Sequence, residues 1–143
     1  MQNTTTMQQP LIFVIDDEKS YNVLSVIMLK EAGFTNIQSF MNPQEALDQL
    51  RERCEKADEL PHLILLDINM PKISAWQFLD EYRLIQTDRK SEINIFLCTG
   101  SDHHTDIEKA KQYPEVLGML SKPLGFDSAL MLSEKFYLVS AAA

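Results

Sequence analysis

Cysteine is scarce in this chain of 143 residues, which contains only Cys54 and Cys98 and no C-x-x-C pair. This scarcity argues against a disulfide-stapled secreted domain and is typical of a reduced, cytoplasmic protein. Long apolar runs are lacking too, since none approaches the roughly 18 residues of a membrane-spanning helix. Residues 1–10 have no apolar segment of the kind that a secretion signal needs. We therefore predict a flexible tail at residues 1–10 and one domain at residues 11–143.

Positive charge is also low. The chain has 13 Lys and Arg against 21 Asp and Glu, which gives a formal net charge of −8. Binding to the phosphates of nucleic acids or of anionic membranes needs a basic surface, so the composition argues against both as direct partners. Apolar residues make up 45% of the chain, which at this length is enough for a core without disulfides.

Short apolar runs alternate along the chain with segments that carry helix signals. The predicted strands are residues 11–15, 36–40, 63–66, 93–98 and 116–120. The predicted helices are residues 19–32, 43–55, 75–86, 105–112 and 126–139. Strands that are buried on both faces have continuous apolar sequences, as in parallel sheets. The pattern predicts an α/β fold with a five-stranded parallel sheet, helices on both faces and right-handed crossovers.

The helical segments carry start signals and apolar positions that can be compared with a structure. Asn42 before Pro43, and Ser74 three residues before Gln77, are typical N-terminal caps. In the first helix, the spacing predicts an apolar stripe at Tyr21, Leu24, Ile27 and Met28. In the last helix, apolar residues occur on more than one face, which predicts that some stay exposed for docking. These are Leu130, Met131, Leu132, Phe136, Tyr137, Leu138 and Val139.

Polar residues stand where the predicted strands end. Asp16 and Asp17 follow the first strand, Asp67 the third, Thr99 the fourth and Lys122 the fifth. Because the carboxyl ends of parallel strands meet at one edge of the sheet, where ligands bind in such folds, we expect these side chains to lie together.

The chemistry of this set points to phosphoryl transfer. Three crowded carboxylates repel one another, and Mg²⁺ is well suited to compensate their charge. Lys122 offers a compact positive charge for a phosphoryl oxygen, and Thr99 offers a hydroxyl donor. An aspartate can act as a nucleophile toward phosphorus. The sequence therefore predicts a magnesium-dependent site that places a phosphoryl group on Asp67.

Four ordered motifs carry a resemblance to a known family. They are Val-Ile-Asp-Asp-Glu at 14–18, Leu-Leu-Asp-Ile-Asn-Met-Pro at 65–71, Leu-Cys-Thr-Gly at 97–100 and Ser-Lys-Pro at 121–123. The chain resembles the receiver domain of bacterial two-component response regulators, the CheY-like family, over residues 11–139. This resemblance implies a flavodoxin-like (βα)5 three-layer sandwich with strand order 2-1-3-4-5.

The resemblance also implies a role for each site residue. Asp67 would be the phosphoacceptor, and Thr99 and Lys122 would hold the phosphoryl oxygens. The Mg²⁺ ligands would be Asp67, Asp17 directly, Asp16 largely through water, and the backbone carbonyl of Asn69. The protein would be a signalling phosphoacceptor rather than an enzyme, with self-catalysed phosphoryl transfer and slow autodephosphorylation.

Partners follow from the same resemblance. The donor would be a histidine kinase or a histidine phosphotransfer protein. A conformational change would alter docking to a downstream protein through the face made by helix four, strand five and helix five. Formation of a homodimer is a further alternative. No output domain is recognisable after residue 139, so we expect a single-domain regulator.

Two positions depart from the family pattern. Met119 stands where an aromatic residue usually precedes the lysine by three positions. We therefore expect switching to couple Thr99 to a flexible thioether and not to a rotating ring. Ser74 and Ala75 replace the usual Asp-Gly. Ala75 lacks access to positive φ, so we expect a local difference in the loop after Asp67.

Other interpretations have less support. A haloacid-dehalogenase-type phosphatase needs a second aspartate where Asn69 stands, and a flavin phosphate would be repelled by the acidic residues 16–18. A degenerate receiver that acts only as a phosphorylation-independent interaction module is the remaining alternative, and the intact acidic set argues against it. His103 and His104 follow the fourth strand, and we expect them to be solvated rather than metal-binding.

Overall fold

The computed structural model describes residues 9–100 and 104–142, and the side chains of all of these except residues 137–142. Most of the predicted tail lies outside the described residues, so that boundary stays a prediction. Strands and helices alternate as β1 (Leu11–Ile15), α1 (Lys19–Glu31), β2 (Asn36–Phe40), α2 (Pro43–Arg53), β3 (Leu63–Asp67), α3 (Ala75–Leu84), β4 (Asn94–Thr99), α4 (His104–Ala110), β5 (Val116–Ser121) and α5 (Phe126–Ala142).

The five strands form one parallel sheet in the order β2-β1-β3-β4-β5. This confirms the predicted fold class and strand order. In the central strand β3 all five residues are buried, as expected for a strand covered by helices on both faces. The β4–β5 pairing has an irregular register, in which Ile95 pairs with Val116 and Phe96 with Gly118. Leu117 is therefore an extra residue in the edge strand, and 53% of its surface is exposed.

Each face of the sheet has its own hydrophobic layer, because successive side chains of a strand point to opposite faces. Phe13 and Ile15 of β1 pack with residues of α2 and α3, such as Leu47 and Phe78. The alternate positions Ile12 and Val14 belong to the layer with α1 and α5, which includes Leu29, Ala129 and Leu132.

The buried stripe of α1 differs from the predicted one. Leu24 and Ile27 are exposed, at 41% and 44% of their surfaces, while Asn22, Ser25 and Leu29 are buried. The apolar residues of this helix are spread around its circumference, so hydrophobicity alone does not identify the face that packs. The side-chain amide of Asn22 donates to two backbone carbonyls, which offsets the cost of burying it.

The helix caps agree with the sequence signals. Ser74 and Gln77 form a reciprocal capping box at the start of α3, and the Asn42 side chain accepts from the Gln44 N–H at 2.9 Å. Ala75 begins α3 and is fully buried. No residue other than glycine has a positive φ in the described part of the chain, so Ala75 does not require one.

The last helix exposes part of its apolar surface, as expected. Leu130 and Met131 are exposed at 39% and 38%, whereas Leu132 is fully buried and Phe136 is half-buried. The side chains of Tyr137, Leu138 and Val139 lie outside the described ones. Within the described ranges, no helix combines the length and the apolar character that crossing a bilayer requires.

Candidate functional site

The residues predicted to form a site meet at the carboxyl edge of the sheet. Backbone hydrogen bonds hold the strand ends in register there. The Ile68 N–H donates to the Cys98 carbonyl at 3.0 Å, and the Lys122 N–H donates to the Thr99 carbonyl at 2.9 Å. The loops after β3, β4 and β5 therefore leave the sheet side by side, which brings Lys122 back toward the central strand.

Lys122 bridges two buried carboxylates. Its Nζ lies 3.1 Å from Oδ2 of Asp16 and 3.0 Å from Oδ1 of Asp67, and only 10% of the lysine side chain is exposed. Ion pairs with so little solvent around them are screened far less than pairs on the surface. The lysine thus compensates two charges that would otherwise repel each other.

The two carboxylate oxygens of Asp67 differ in their contacts with the described residues. Oδ1 accepts from the Asn69 N–H at 3.2 Å and contacts Lys122. Among the residues that the structure describes, none donates a hydrogen bond to Oδ2, which is itself buried. A buried, unpaired carboxylate oxygen is costly, so this atom is a natural point for a cation or a phosphoryl group to bind.

The pKa of Asp67 reflects this environment. It is raised from 3.8 to about 6, and burial is the largest cause; the hydrogen bond from Lys122 lowers the pKa, and the nearby Asp16 charge raises it. For Lys122, burial lowers the pKa, but the hydrogen bonds and charges of Asp67 and Asp16 outweigh this effect and raise it overall. The lysine is therefore cationic at neutral pH.

Three carboxylates are arranged as a metal could use them. Asp16, Asp17 and Asp67 each offer one oxygen, and these oxygens all lie within 4.8 Å of one another. Asp17 is half-buried, whereas the neighbouring Glu18 is exposed. Hard divalent cations prefer such oxygen ligands. The donor set therefore fits Mg²⁺.

The remaining predicted residues lie around this centre. Thr99 is buried at the end of β4, next to Ser121 of β5. Met119 is half-buried and packs on the α2–α3 side of the core. Asn69 and His104 are exposed, while His103 lies outside the described residues.

Sequence reasoning missed two residues in the first turns of α1. The Asn22 side chain donates to the carbonyls of Asp16 and Phe40, each at 3.2 Å, and so ties α1 to the ends of β1 and β2. The Tyr21 ring centroid lies 4.2 Å from Nζ of Lys122. The only sequence signal that pointed to Tyr21 and Asn22 was their position shortly after Asp16 and Asp17.

Cys98 precedes Thr99 but has no place in this chemistry. Its thiol is buried, and burial, followed by the charges of Asp67 and Asp16, raises its pKa to about 12. A thiol with so high a pKa stays protonated and is a poor nucleophile or metal ligand. It packs instead with the α1–α5 layer.

Comparison with known proteins identifies the family. The model of the response regulator receiver domain matches residues 12–132, and the chain therefore belongs to this family. The fold, the strand order and the resemblance seen in the sequence agree with this assignment. The chain is thus a CheY-like receiver of two-component signalling.

Individual relatives give the same assignment. The chain is 27% identical over 118 residues to a probable methanogenesis regulatory protein, FilR2, of Methanothrix harundinacea. The aligned residues cover 82% of this chain and 74% of the relative. A two-component response regulator from Cytophaga hutchinsonii is 25% identical with a TM-score of 0.78, covering 95% of this chain and 100% of its own. A receiver protein from Dyadobacter fermentans is 26% identical with a TM-score of 0.75, covering 88% and 96%.

Proposed function

We propose that this protein is a phosphoacceptor that takes a phosphoryl group on Asp67 from a histidine kinase or a histidine phosphotransfer protein. The observation that carries the proposal is the buried Asp67 carboxylate, with Oδ2 unpartnered within the described residues and Lys122 beside Oδ1. Such an oxygen is oriented, desolvated and close to positive charge. These are the properties that a carboxylate nucleophile needs.

The transfer step is a direct displacement at phosphorus. An oxygen of the ionised Asp67 attacks, an O–P bond forms, and the N–P bond to the donor imidazole breaks with its electron pair leaving on the ring nitrogen. Lys122, already 3.0 Å from Asp67, moves with the phosphoryl oxygens and stabilises their charge. Thr99, at the adjacent strand end, would donate its hydroxyl to another phosphoryl oxygen. Water later cleaves the acyl phosphate and restores the carboxylate.

Mg²⁺ would be held by Asp17, Asp67, the backbone carbonyl of Asn69 and, largely through water, Asp16. When bound, the ion neutralises charge on the phosphoryl oxygens. The carboxylate spacing supports this ligand set. Asp16 has a second task, because its Oδ1 accepts from the Glu18 N–H at 2.9 Å while its Oδ2 contacts Lys122. That double engagement favours contact through water over direct ligation.

Phosphorylation would then alter how the protein docks to a downstream partner. The face made by α4, β5 and α5 carries exposed apolar side chains that suit such a role. Those most exposed are Ile107, Leu117, Phe126, Leu130 and Met131. The protein acts in this proposal as a signalling element and not as an enzyme with an external substrate.

The proposal is tested by incubating the protein with Mg²⁺ and phosphoramidate and measuring its intact mass. Wild type gains the mass of one phosphoryl group, and Asp67→Asn gains none. Asp106→Asn, at a carboxylate in α4, is the matched control and keeps the gain. No gain in wild type would favour a phosphorylation-independent interaction module.

A further inference from the structure

We propose that Tyr21 is a positioning residue for phosphoryl transfer, because its ring holds the Lys122 ammonium against the carboxylates and covers the outer side of that ammonium. The inference rests on the proposed function of Asp67 and extends it to a residue outside the acidic set. The distance of 4.2 Å from the ring centroid to Nζ is the shortest cation–ring distance in the described part of the chain. A cation this close to a ring face is attracted by the ring quadrupole.

The contacts of Lys122 explain why a ring is useful there. An ammonium has three N–H groups and no acceptor. The carboxylates of Asp16 and Asp67 lie within hydrogen-bond distance of Nζ, and in the proposed arrangement the ring of Tyr21, whose centroid lies 4.2 Å from Nζ, covers the side of the third N–H. A water molecule on that side would compete for the ammonium and could attack the phosphoryl group. An aromatic face attracts the cation but is not a nucleophile toward phosphorus.

The backbone at Tyr21 is held in place by neighbouring hydrogen bonds, which fixes the position from which the ring extends. Asn22, the next residue, ties this turn of α1 to the carbonyls of Asp16 and Phe40. The ring is half-buried, while the preceding Lys19 and Ser20 are exposed. Tyr21 is therefore placed over the lysine by the helix and not only by the attraction itself.

When Asp67 carries a phosphoryl group, Lys122 must turn toward the new oxygens. A ring contact is less directional than a hydrogen bond, so the ammonium can shift beneath it and stay covered. Tyr21 thus lets Lys122 exchange one anionic partner for another without being released to solvent. Without the ring, Lys122 is held less firmly and must be positioned again during the transfer, so loss of the ring should slow phosphorylation by about three- to tenfold, a cost comparable to that of a partly desolvated cation–π contact.

The test compares wild type with Tyr21→Phe, Tyr21→Leu and Val23→Ala. Val23 is exposed on the same helix and controls for general effects on α1. Two quantities are measured: the rate of phosphorylation by phosphoramidate in Mg²⁺, and the NMR shift of the Lys122 Hε protons in metal-free protein. A ring over Nζ shifts these protons upfield whether or not the protein is ever phosphorylated.

We expect upfield Lys122 Hε signals in wild type, Tyr21→Phe and Val23→Ala, and we expect both variants to be phosphorylated at the wild-type rate. In Tyr21→Leu the rate should fall about three- to tenfold, and the shift should move to that of a solvated lysine. The proposal is overturned if Tyr21→Leu keeps the wild-type rate, if Tyr21→Phe is as slow as Tyr21→Leu, or if Val23→Ala is equally slow. Normal Hε shifts in wild type would overturn it without any variant. Absence of phosphorylation in wild type would instead refute the function of Asp67.

Discussion

The Nζ atom of Lys122 lies 3.0 Å from Oδ1 of Asp67, although β4 lies between β3, which ends at Asp67, and β5, which Lys122 follows. The Lys122 N–H donates to the Thr99 carbonyl at the end of β4, and the long side chain reaches past that strand end to Asp67. This pair fixes where a phosphoryl group would find positive charge. It also leaves Asp67 as a buried acid whose ionisation opposes folding.

The first prediction concerns the stability of Asp67→Asn. The pKa of this carboxyl is about 6 in the folded protein, mainly through burial, against an ordinary value of 3.8. Between these values the folded state holds a proton that the unfolded state releases. The contribution of this group to stability is therefore greatest below pH 3.8 and declines as the pH rises through 6.

Asp67→Asn should thus raise the free energy of unfolding at pH 7, by about 1–3 kcal/mol in the absence of divalent cations. The gain should disappear near pH 4, where Asp67 is protonated in the folded protein. Urea unfolding of both proteins at the two pH values measures this directly. A variant less stable than wild type at pH 7 would show that Lys122 overcompensates the burial of the charge.

The second prediction separates two neighbouring acids. Asp17 shares the carboxylate cluster, whereas Glu18 is exposed. Asp17→Ala should weaken Mg²⁺ binding about tenfold or more, while Glu18→Ala should change it by no more than about twofold. A Mg²⁺ titration followed by backbone amide shifts gives both affinities. The ligand roles would be wrong if Glu18→Ala had the larger effect.

The third prediction concerns switching through Met119. Its half-buried side chain packs on the α2–α3 side of the core, beside Leu97 in the adjacent strand. An unbranched thioether packs acceptably in more than one arrangement, so we expect the active arrangement to be partly populated before phosphorylation. Met119→Tyr should increase the difference between the unphosphorylated and the phosphorylated conformations.

Backbone amide NMR around Thr99 and Met119, with and without beryllofluoride, measures this response. Wild type should show exchange in the free protein and smaller shifts on binding than Met119→Tyr. Shifts as large and as complete in wild type as in the variant, with no exchange in the free protein, would contradict the prediction that the active arrangement is partly populated before phosphorylation.

Most of the fold was predictable because its signals are strong and local. Strands β1 and β3 are short apolar runs, and the cap formed by Ser74 and Gln77 marks the start of α3. The ends of helices were less certain. Helix α3 ends at Leu84 and not near residue 86, because nothing in the sequence marks where tertiary packing stops supporting a helix.

The site was predictable where parallel topology brings strand ends together. The structure brings oxygens of Asp16, Asp17 and Asp67 within 4.8 Å of one another and places Nζ of Lys122 beside Asp16 and Asp67. Burial of Asn22 was not predictable, because its two carbonyl partners lie at the ends of different strands. The contact of Tyr21 with Lys122 depends on tertiary geometry in the same way, and helical spacing had only predicted an inward position for that ring.

The most direct measurement of the central claim is chemical mapping of the phosphorylated residue. The protein is phosphorylated with phosphoramidate in Mg²⁺, reduced with sodium borohydride, which converts an aspartyl phosphate to homoserine, and analysed by peptide mass spectrometry. Homoserine at position 67 alone is the predicted result. Reduction at position 16 or 17, or phosphate that stays on a histidine such as His62, would contradict the account.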